Sequence, residues 1–200
     1  MNYCDLALDC VTKLQPYVPG KPIEELQRQY GLTDIVKLAS NENPLGPSDI
    51  VLAAIEQAAK EVTRYPDGNG FSLKAALAEK YELIAEQITL GNGSNDVLEM
   101  IARAFVKPTD EVMFSQHAFA VYPLVTQAIG AKAVVAPAKS YGHDLAAMLA
   151  LITDKTKLIF IANPNNPTGT HLSVEELTDF LTQVPEQTLV VIDEAYVEYG

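Results

Sequence analysis

Leu158-Ile159-Phe160-Ile161-Ala162-Asn163-Pro164-Asn165-Asn166-Pro167-Thr168-Gly169 and Thr188-Leu189-Val190-Val191-Ile192-Asp193-Glu194-Ala195-Tyr196 are the two ends of one structural unit. Leu158 to Ala162 and Leu189 to Ile192 are short apolar runs rich in β-branched residues, the pattern of strands buried on both faces of a parallel sheet. Between them Ser173 reads as a helix N-cap, with Glu176 three residues on completing a capping box and Leu177, Leu181 and Val184 along one face. A strand, helix, strand crossover makes the two strands parallel. Their carboxyl ends then open on one crevice, where an open α/β sheet binds its ligand, and Asn166 and Asp193 fall just past those ends. A carboxylate that closes an apolar strand is costly unless it meets a cationic partner.

Bulk properties narrow the classes of function. A chain of 200 residues makes one large domain or one domain with appendages, and 48% hydrophobic content is ample for a core. The net charge of −12 repels phosphate backbones and anionic membrane surfaces, so neither nucleic acid nor membrane is an expected partner. Cys4 and Cys10 lack metal-ligand spacing and read as thiols of a reducing compartment, and no metal site is expected. With no signal peptide and no apolar run near the ~18 residues of a membrane span, a soluble, cytoplasmic protein is expected.

Along the chain, residues up to about Tyr30 are peripheral, with a turn-rich stretch from Tyr17 to Pro22 and a short amphipathic helix from Ile23 to Tyr30. Ser40-Asn41-Glu42-Asn43-Pro44-Leu45-Gly46-Pro47 is a loop whose polar side chains satisfy a turn. Ser48 caps a helix through Val62, with Val51, Ala54, Ile55, Ala58 and Val62 on its buried side. After a turn at Arg64-Tyr65-Pro66-Asp67-Gly68, Ser72 begins a helix to about Ile84 whose Leu73, Ala76, Leu77 and Tyr81 read as core. Ile88-Thr89-Leu90-Gly91-Asn92-Gly93-Ser94-Asn95-Asp96 is an extended run, a glycine-rich turn and the start of a helix running from about Asn95 to Phe105. Glycines admit close backbone approach and a helix amino terminus offers amide donors, so this turn reads either as a phosphate seat or as a plain capped helix. It lacks the P-loop lysine, which argues against a nucleoside triphosphate. Glu111–Ser115 and Lys132–Pro137 are strands flanking a helix that ends near Gly130, and Asp144 caps a helix through Ile152. The expected architecture is α/β, a mostly parallel sheet sandwiched by helices.

Asn166-Pro167-Thr168-Gly169 followed by Asp193-Glu194-Ala195-Tyr196 resembles the cofactor-binding signature of the fold type I pyridoxal-phosphate aminotransferases, and the resemblance runs in order over nearly the whole chain. It implies an amino-terminal arm and small-domain segment over 1–47, the large domain over 48–200, and pyridoxal 5'-phosphate as cofactor. It implies that Asp193 pairs with the protonated ring nitrogen, that Asn166 and Tyr196 hydrogen-bond the phenolic oxygen, and that Asp193 and Tyr196 are catalytic. It gives Gly93, Ser94 and Asn95 to the phosphate and Phe119 to stacking on the ring, with Tyr65 reaching the phosphate of the other subunit of a homodimer. Tyr122 reads as a second aromatic of the site or as core. His117 stands where the family usually has Pro and is given no catalytic role.

The wording of Ser40 to Pro47 resembles the substrate-side loop of histidinol-phosphate aminotransferases. This implies Tyr17 and Asn43 as substrate-binding residues, and amino transfer between histidinol phosphate and the 2-oxo acid 2-oxoglutarate in histidine biosynthesis. An aromatic amino acid aminotransferase or a decarboxylase of phosphorylated amino acids fits the same residues. A non-catalytic pyridoxal-phosphate regulatory module belongs to another class; such regulators carry a helix-turn-helix ahead of the pocket, and residues 1–47 offer none. The family holds its cofactor as a Schiff base on a lysine, which the resemblance places beyond Gly200 together with the arginine that clamps the substrate carboxylate. Lys155 and Lys157 precede a strand, at the edge away from the crevice.

Overall fold

The computed structural model describes residues 3–199. In chain order its elements are α1 (Asp9–Thr12), α2 (Ile23–Tyr30), α3 (Asp49–Ala58), α4 (Phe71–Tyr81), α5 (Ser94–Phe105), β1 (Glu111–Ser115), α6 (Val121–Ile129), β2 (Lys132–Ala136), β3 (Ala138–Lys139), β4 (Gly142–His143), α7 (Leu145–Ala150), β5 (Thr156–Ala162), α8 (Val174–Gln183) and β6 (Leu189–Asp193). Pro16–Ile88 forms one compact unit, and Thr89 onward with the segment up to Gln15 forms another. The 47/48 boundary read from the sequence lies inside the first of these.

The larger unit is built on a four-stranded sheet of order β2-β1-β5-β6, parallel throughout. Alternation along each strand sorts the side chains into two cores. Val112, Phe114, Leu158, Phe160 and Ala162 face α5 and α6, meeting Leu98, Ala102, Tyr122 and Val125. Met113, Ala136, Ile159 and Ile161 face the other way, meeting Met148 of α7 and Phe180 of α8. β5 is covered on both faces, which is why its sequence is an unbroken apolar run. On α8 the capping box is present: Ser173 Oγ accepts from the Glu176 amide (3.1 Å) and Glu176 Oε2 from the Ser173 amide (2.8 Å). The buried stripe of α8 runs through Leu177, Phe180 and Val184, leaving Leu181 on its exposed rim.

Three further features of this unit were not legible as patterns. α1 lies on α6, where Gln127 Nε2 donates to the Cys10 carbonyl (3.3 Å) and the Cys10 thiol to that of Ala128 (3.6 Å). Of the stretch to Tyr30 read as peripheral, the part up to Gln15 is therefore tied to the larger unit, and the rest belongs to Pro16–Ile88. β3 and β4 form a small antiparallel hairpin through Ser140 and Tyr141, both at positive φ (51° and 65°) as a two-residue turn requires. The hairpin buries His143, whose Nε2 bonds the Ala162 carbonyl (2.9 Å); burial pushes its pKa down, against the smaller upward pull of that bond.

In Pro16–Ile88, Ser48 caps α3 as expected, but the face read as buried is open: Val51, Ile55 and Val62 are 47%, 58% and 76% exposed. An apolar stripe is buried only where another layer lies against it, and α3 has no buried residue among those described. α4 begins at Phe71, not at Ser72. The Asp67 carboxylate accepts from the Phe71 and Asn69 amides (2.7 and 3.0 Å), and Gly70 takes the left-handed conformation (φ 61°) between them. α4 stops at Tyr81, where Glu82 turns left-handed, and Leu73, Ala76 and Tyr81 are exposed while Leu77 is half-buried.

Glu111 opens β1 with its side chain buried, receiving hydrogen bonds from Lys132 Nζ on the neighbouring strand (2.7 Å) and from Thr153 Oγ1 (2.7 Å). The Lys132 bond first and the Thr153 bond second hold its pKa below the ordinary 4.5, with burial opposing. A depressed folded pKa means that the carboxylate stabilises the fold above about pH 4.5 and that this contribution is lost as pH falls toward the folded value. Lys132→Met strands a buried acceptor, whereas Glu111→Gln leaves an exposed lysine that water can solvate. The lysine variant is expected to lose about 1–3 kcal/mol at pH 7 and the glutamine variant less, with the acid-side slope of stability shallower in both. Urea unfolding of the complete protein at pH 7 and pH 4 checks this; equal losses at pH 7 would contradict the asymmetry. At Gly91 an added Cβ would meet Asp96 Cβ at 2.9 Å and Val97 Cγ2 at 3.0 Å. Gly91→Ala must push the turn off the start of α5, with an expected cost of about 1–3 kcal/mol read from thermal unfolding.

Candidate active site

The chain leaves β1 for α6 on one face of the sheet and β5 for α8 on the other, so the loops after these adjacent strands part at their carboxyl ends. Such a reversal of winding opens a crevice in an open parallel sheet. One buried side chain spans it: Asn165 Nδ2 donates to the His117 carbonyl of the β1 loop (3.0 Å) and to Thr168 Oγ1 of its own loop (2.7 Å). The β5 loop is closed by Asn165 N to Thr170 O and Gly169 N to Asn165 O (both 2.8 Å), and by a two-way bond between the Asn163 amide and the Leu172 backbone. Pro164 and Pro167 each follow a cis peptide bond. Asn166, between these anchors, is held at the crevice.

β6 ends level with β5, pairing Asp193 with Ala162, and the Asn163 backbone N–H donates to the Asp193 carbonyl (3.0 Å). Both carboxylate oxygens of Asp193 are anchored, Oδ2 by the Tyr122 hydroxyl (2.8 Å) and Oδ1 by the Ala195 amide (3.2 Å). Tyr122 is fully buried, stacked on Phe160 with centroids 4.6 Å apart and planes 7° apart. Phe119 meets Tyr122 edge-on at 5.9 Å and 87°. Burial first, and then the Asp193 charge, push the Tyr122 phenol far above its usual range, so it is a donor at every working pH.

The third component is the start of α5, which begins at Ser94 after Gly93 in an extended conformation of positive φ (78°). The close fit of Gly91 against Asp96 and Val97 packs the turn on the helix. Asp96 draws the turn back further, its Oδ2 accepting from the Asn92 backbone (3.0 Å) and side chain (2.9 Å) amides, which lower its pKa in that order. No side chain caps the helix, so its first-turn amides and the positive end of its dipole are available to an anion.

Ser94, Phe119, Asn166, Asp193, Ala195 and Tyr196 line one recess at this end of the sheet. Five residues singled out in the sequence thus converge, with Gly93 and Asn95 flanking Ser94. Tyr17, Asn43 and Tyr65 belong to Pro16–Ile88. There Tyr65 is fully exposed, Tyr17 is exposed, and Asn43 Oδ1 accepts from the Leu45 amide (3.0 Å) in the turn read for it. Tyr122, read as either a second aromatic of the site or core, is core and holds Asp193 from there, and Asn165, which holds the two loops, was not among the expected site residues. A tyrosine rather than a phenylalanine in an apolar stretch was the available signal. The recess combines a fixed carboxylate for a cation, a ring for a flat partner, amide and phenol groups for a polar edge, and a helix terminus for an anion. Among the described residues no His, Cys, Asp or Glu group could hold a metal ion, and no helix is long and apolar enough to cross a membrane.

Comparison with known proteins agrees with this geometry. The model of aminotransferase class I and II matches residues 33–200. Histidinol-phosphate aminotransferase 2 of Pseudomonas fluorescens is 60% identical over 201 residues, covering 100% of this chain and 54% of that protein. Histidinol-phosphate aminotransferase 1 of Idiomarina loihiensis is 61% identical over 198 residues, covering 99% and 54%. The crystal structure of histidinol-phosphate aminotransferase from Sinorhizobium meliloti in complex with pyridoxal-5'-phosphate superposes with a TM-score of 0.85 at 31% identity, over 95% of this chain and 51% of that one. The chain spans about half the length of these relatives. With a carboxylate-ended β6, an Asn-Pro-Thr-Gly loop after β5 and a family match over most of its length, the chain belongs to the class I and II aminotransferases and has the fold type I architecture.

Proposed function

We propose that the complete protein is a pyridoxal-phosphate-dependent aminotransferase acting between histidinol phosphate and 2-oxoglutarate in histidine biosynthesis, a homodimer in the cytoplasm. Relatives about 60% identical bear the name histidinol-phosphate aminotransferase, and the Sinorhizobium meliloti structure contains the cofactor. The observation that carries the reading is the convergence of Asp193, Asn166, Tyr196, Phe119 and Ser94 on one recess. The donor set fits the group: a carboxylate for a pyridinium nitrogen, an aromatic face for its ring, an amide and a phenol for its phenolic oxygen, and an uncapped helix terminus for its phosphate.

When bound, pyridoxal phosphate supplies the electron sink for charge developing at the substrate's α-carbon. In this reading Asp193, fixed by Tyr122 and Ala195, holds the proton on the ring nitrogen. Phe119 sets the plane of the ring and excludes water from one face. Asn166 and Tyr196 orient the ring through its phenolic oxygen, and the amides around Gly93, Ser94 and Asn95 take the phosphate. Residues 1–47 serve as the amino-terminal arm and small-domain segment and residues 48–200 as the large domain, with Tyr17 and Asn43 meeting the substrate. Tyr65, fully exposed on its own chain, reaches the phosphate in the partner subunit.

Asp193→Ala in the complete protein is expected to lower kcat/KM for histidinol phosphate by about a thousandfold or more, on the order of 4 kcal/mol of transition-state stabilisation. Unchanged turnover would defeat the assignment of Asp193. For the shared site, mixing Tyr65→Ala subunits with Asp193→Ala subunits is expected to restore activity, because one of the two sites in a mixed dimer carries neither change. If exchange of subunits is demonstrated by mass and activity stays at the level of the parent variants, Tyr65 does not act in trans.

A further inference from the structure

We infer that Tyr122 is a positioning residue of the proposed reaction, a single buried side chain that aligns the Asp193 carboxylate with the Phe119 ring. The inference rests on the cofactor reading above and adds a residue that never lines the recess itself. A phenylalanine would fill the space between Phe119 and Phe160 equally well, and burying a hydroxyl in an apolar layer is unfavourable without a partner. The partner is Asp193 Oδ2 at 2.8 Å. Its companion oxygen accepts from the Ala195 amide at 3.2 Å, so the Tyr122 bond is the shorter of these two anchors.

The same ring, rigid against Phe160 at 4.6 Å, is the surface that Phe119 abuts at 5.9 Å. The charge that meets the ring nitrogen and the face that meets the ring plane are thereby referred to one body in the core, not to two loops that can drift apart. The phenol also keeps its proton beside the carboxylate, because burial and the Asp193 charge both oppose its loss. Tyr122 therefore donates to Asp193 and never competes with it for the proton of the ring nitrogen.

Tyr122→Phe tests this, since it retains the stacked ring and deletes only the donor. In the complete protein the variant is expected to keep its melting temperature within a few degrees. It should bind pyridoxal phosphate about tenfold more weakly, the loss of one hydrogen bond to a charged group. It should also lower kcat more than it raises KM and displace the pH titration of the bound cofactor's absorbance. Phe160→Leu, which loosens the packing beneath Tyr122 but keeps the hydroxyl, should lower the melting temperature and move that titration less than Tyr122→Phe does. If the wild-type protein binds no pyridoxal phosphate, the cofactor reading falls and this inference with it. If the wild type binds it, and Tyr122→Phe shows the same affinity and the same absorbance titration, the cofactor reading stands and the role of Tyr122 is refuted.

Discussion

The carboxylate of Asp193 stands at the end of an apolar strand, where an unpaired charge is costly, and the structure meets that cost from inside the protein and leaves the rest for a ligand. The Tyr122 hydroxyl and the Ala195 amide hold one oxygen each, while the open side of the group faces the recess. This forces the surroundings: a tyrosine of α6 must be buried against the sheet, a second aromatic must brace it, and the chain must turn sharply after β6 to bring the Ala195 amide back. The stacked pair of Tyr122 and Phe160 is the part of the core that serves this end.

The sheet order explains why the recess lies where it does. β1 and β5 are neighbours, but their following helices cover opposite faces, so their loops diverge. Divergent loops would leave backbone polar groups without partners, and the buried Asn165 amide supplies the bridge between them. Phe119 comes from one side of the divide and Asn166 from the other. Asp193 arrives from the next strand because β6 pairs in register with β5, and Ser94 arrives because α5 packs on the same face as α6.

Much of this unit could be read locally. The unbroken apolar run of β5, the Ser173 and Glu176 capping box and the glycines before α5 each carry their own physics within a few residues, and each element formed near where it was expected. The misreadings share a cause. Val51, Ile55 and Val62 on α3, and Leu73 and Tyr81 on α4, have the spacing of a buried face, but spacing states only that a face could be buried and not that a layer lies against it. The start of α4 was misplaced by one residue because a carboxylate four positions upstream, Asp67, satisfied its first amide. On α8 the apolar stripe was read through Leu181 when Phe180 carries it.

The sequence by itself determined the element types, the parallel βαβ unit, the candidate seat for an anion at α5 and the two residues, Asn166 and Asp193, that had to lie at strand ends. These follow from hydrogen-bonding and burial rules that act over a turn of helix or a length of strand. The strand order, the reversal between β1 and β5, the reach of Tyr122 to Asp193 across 71 positions of sequence, and the span of Asn165 to His117 across 48 were decided only in the tertiary structure. Contacts of that separation depend on which strand pairs with which and on the face each helix takes, and no pattern within a single segment encodes either choice.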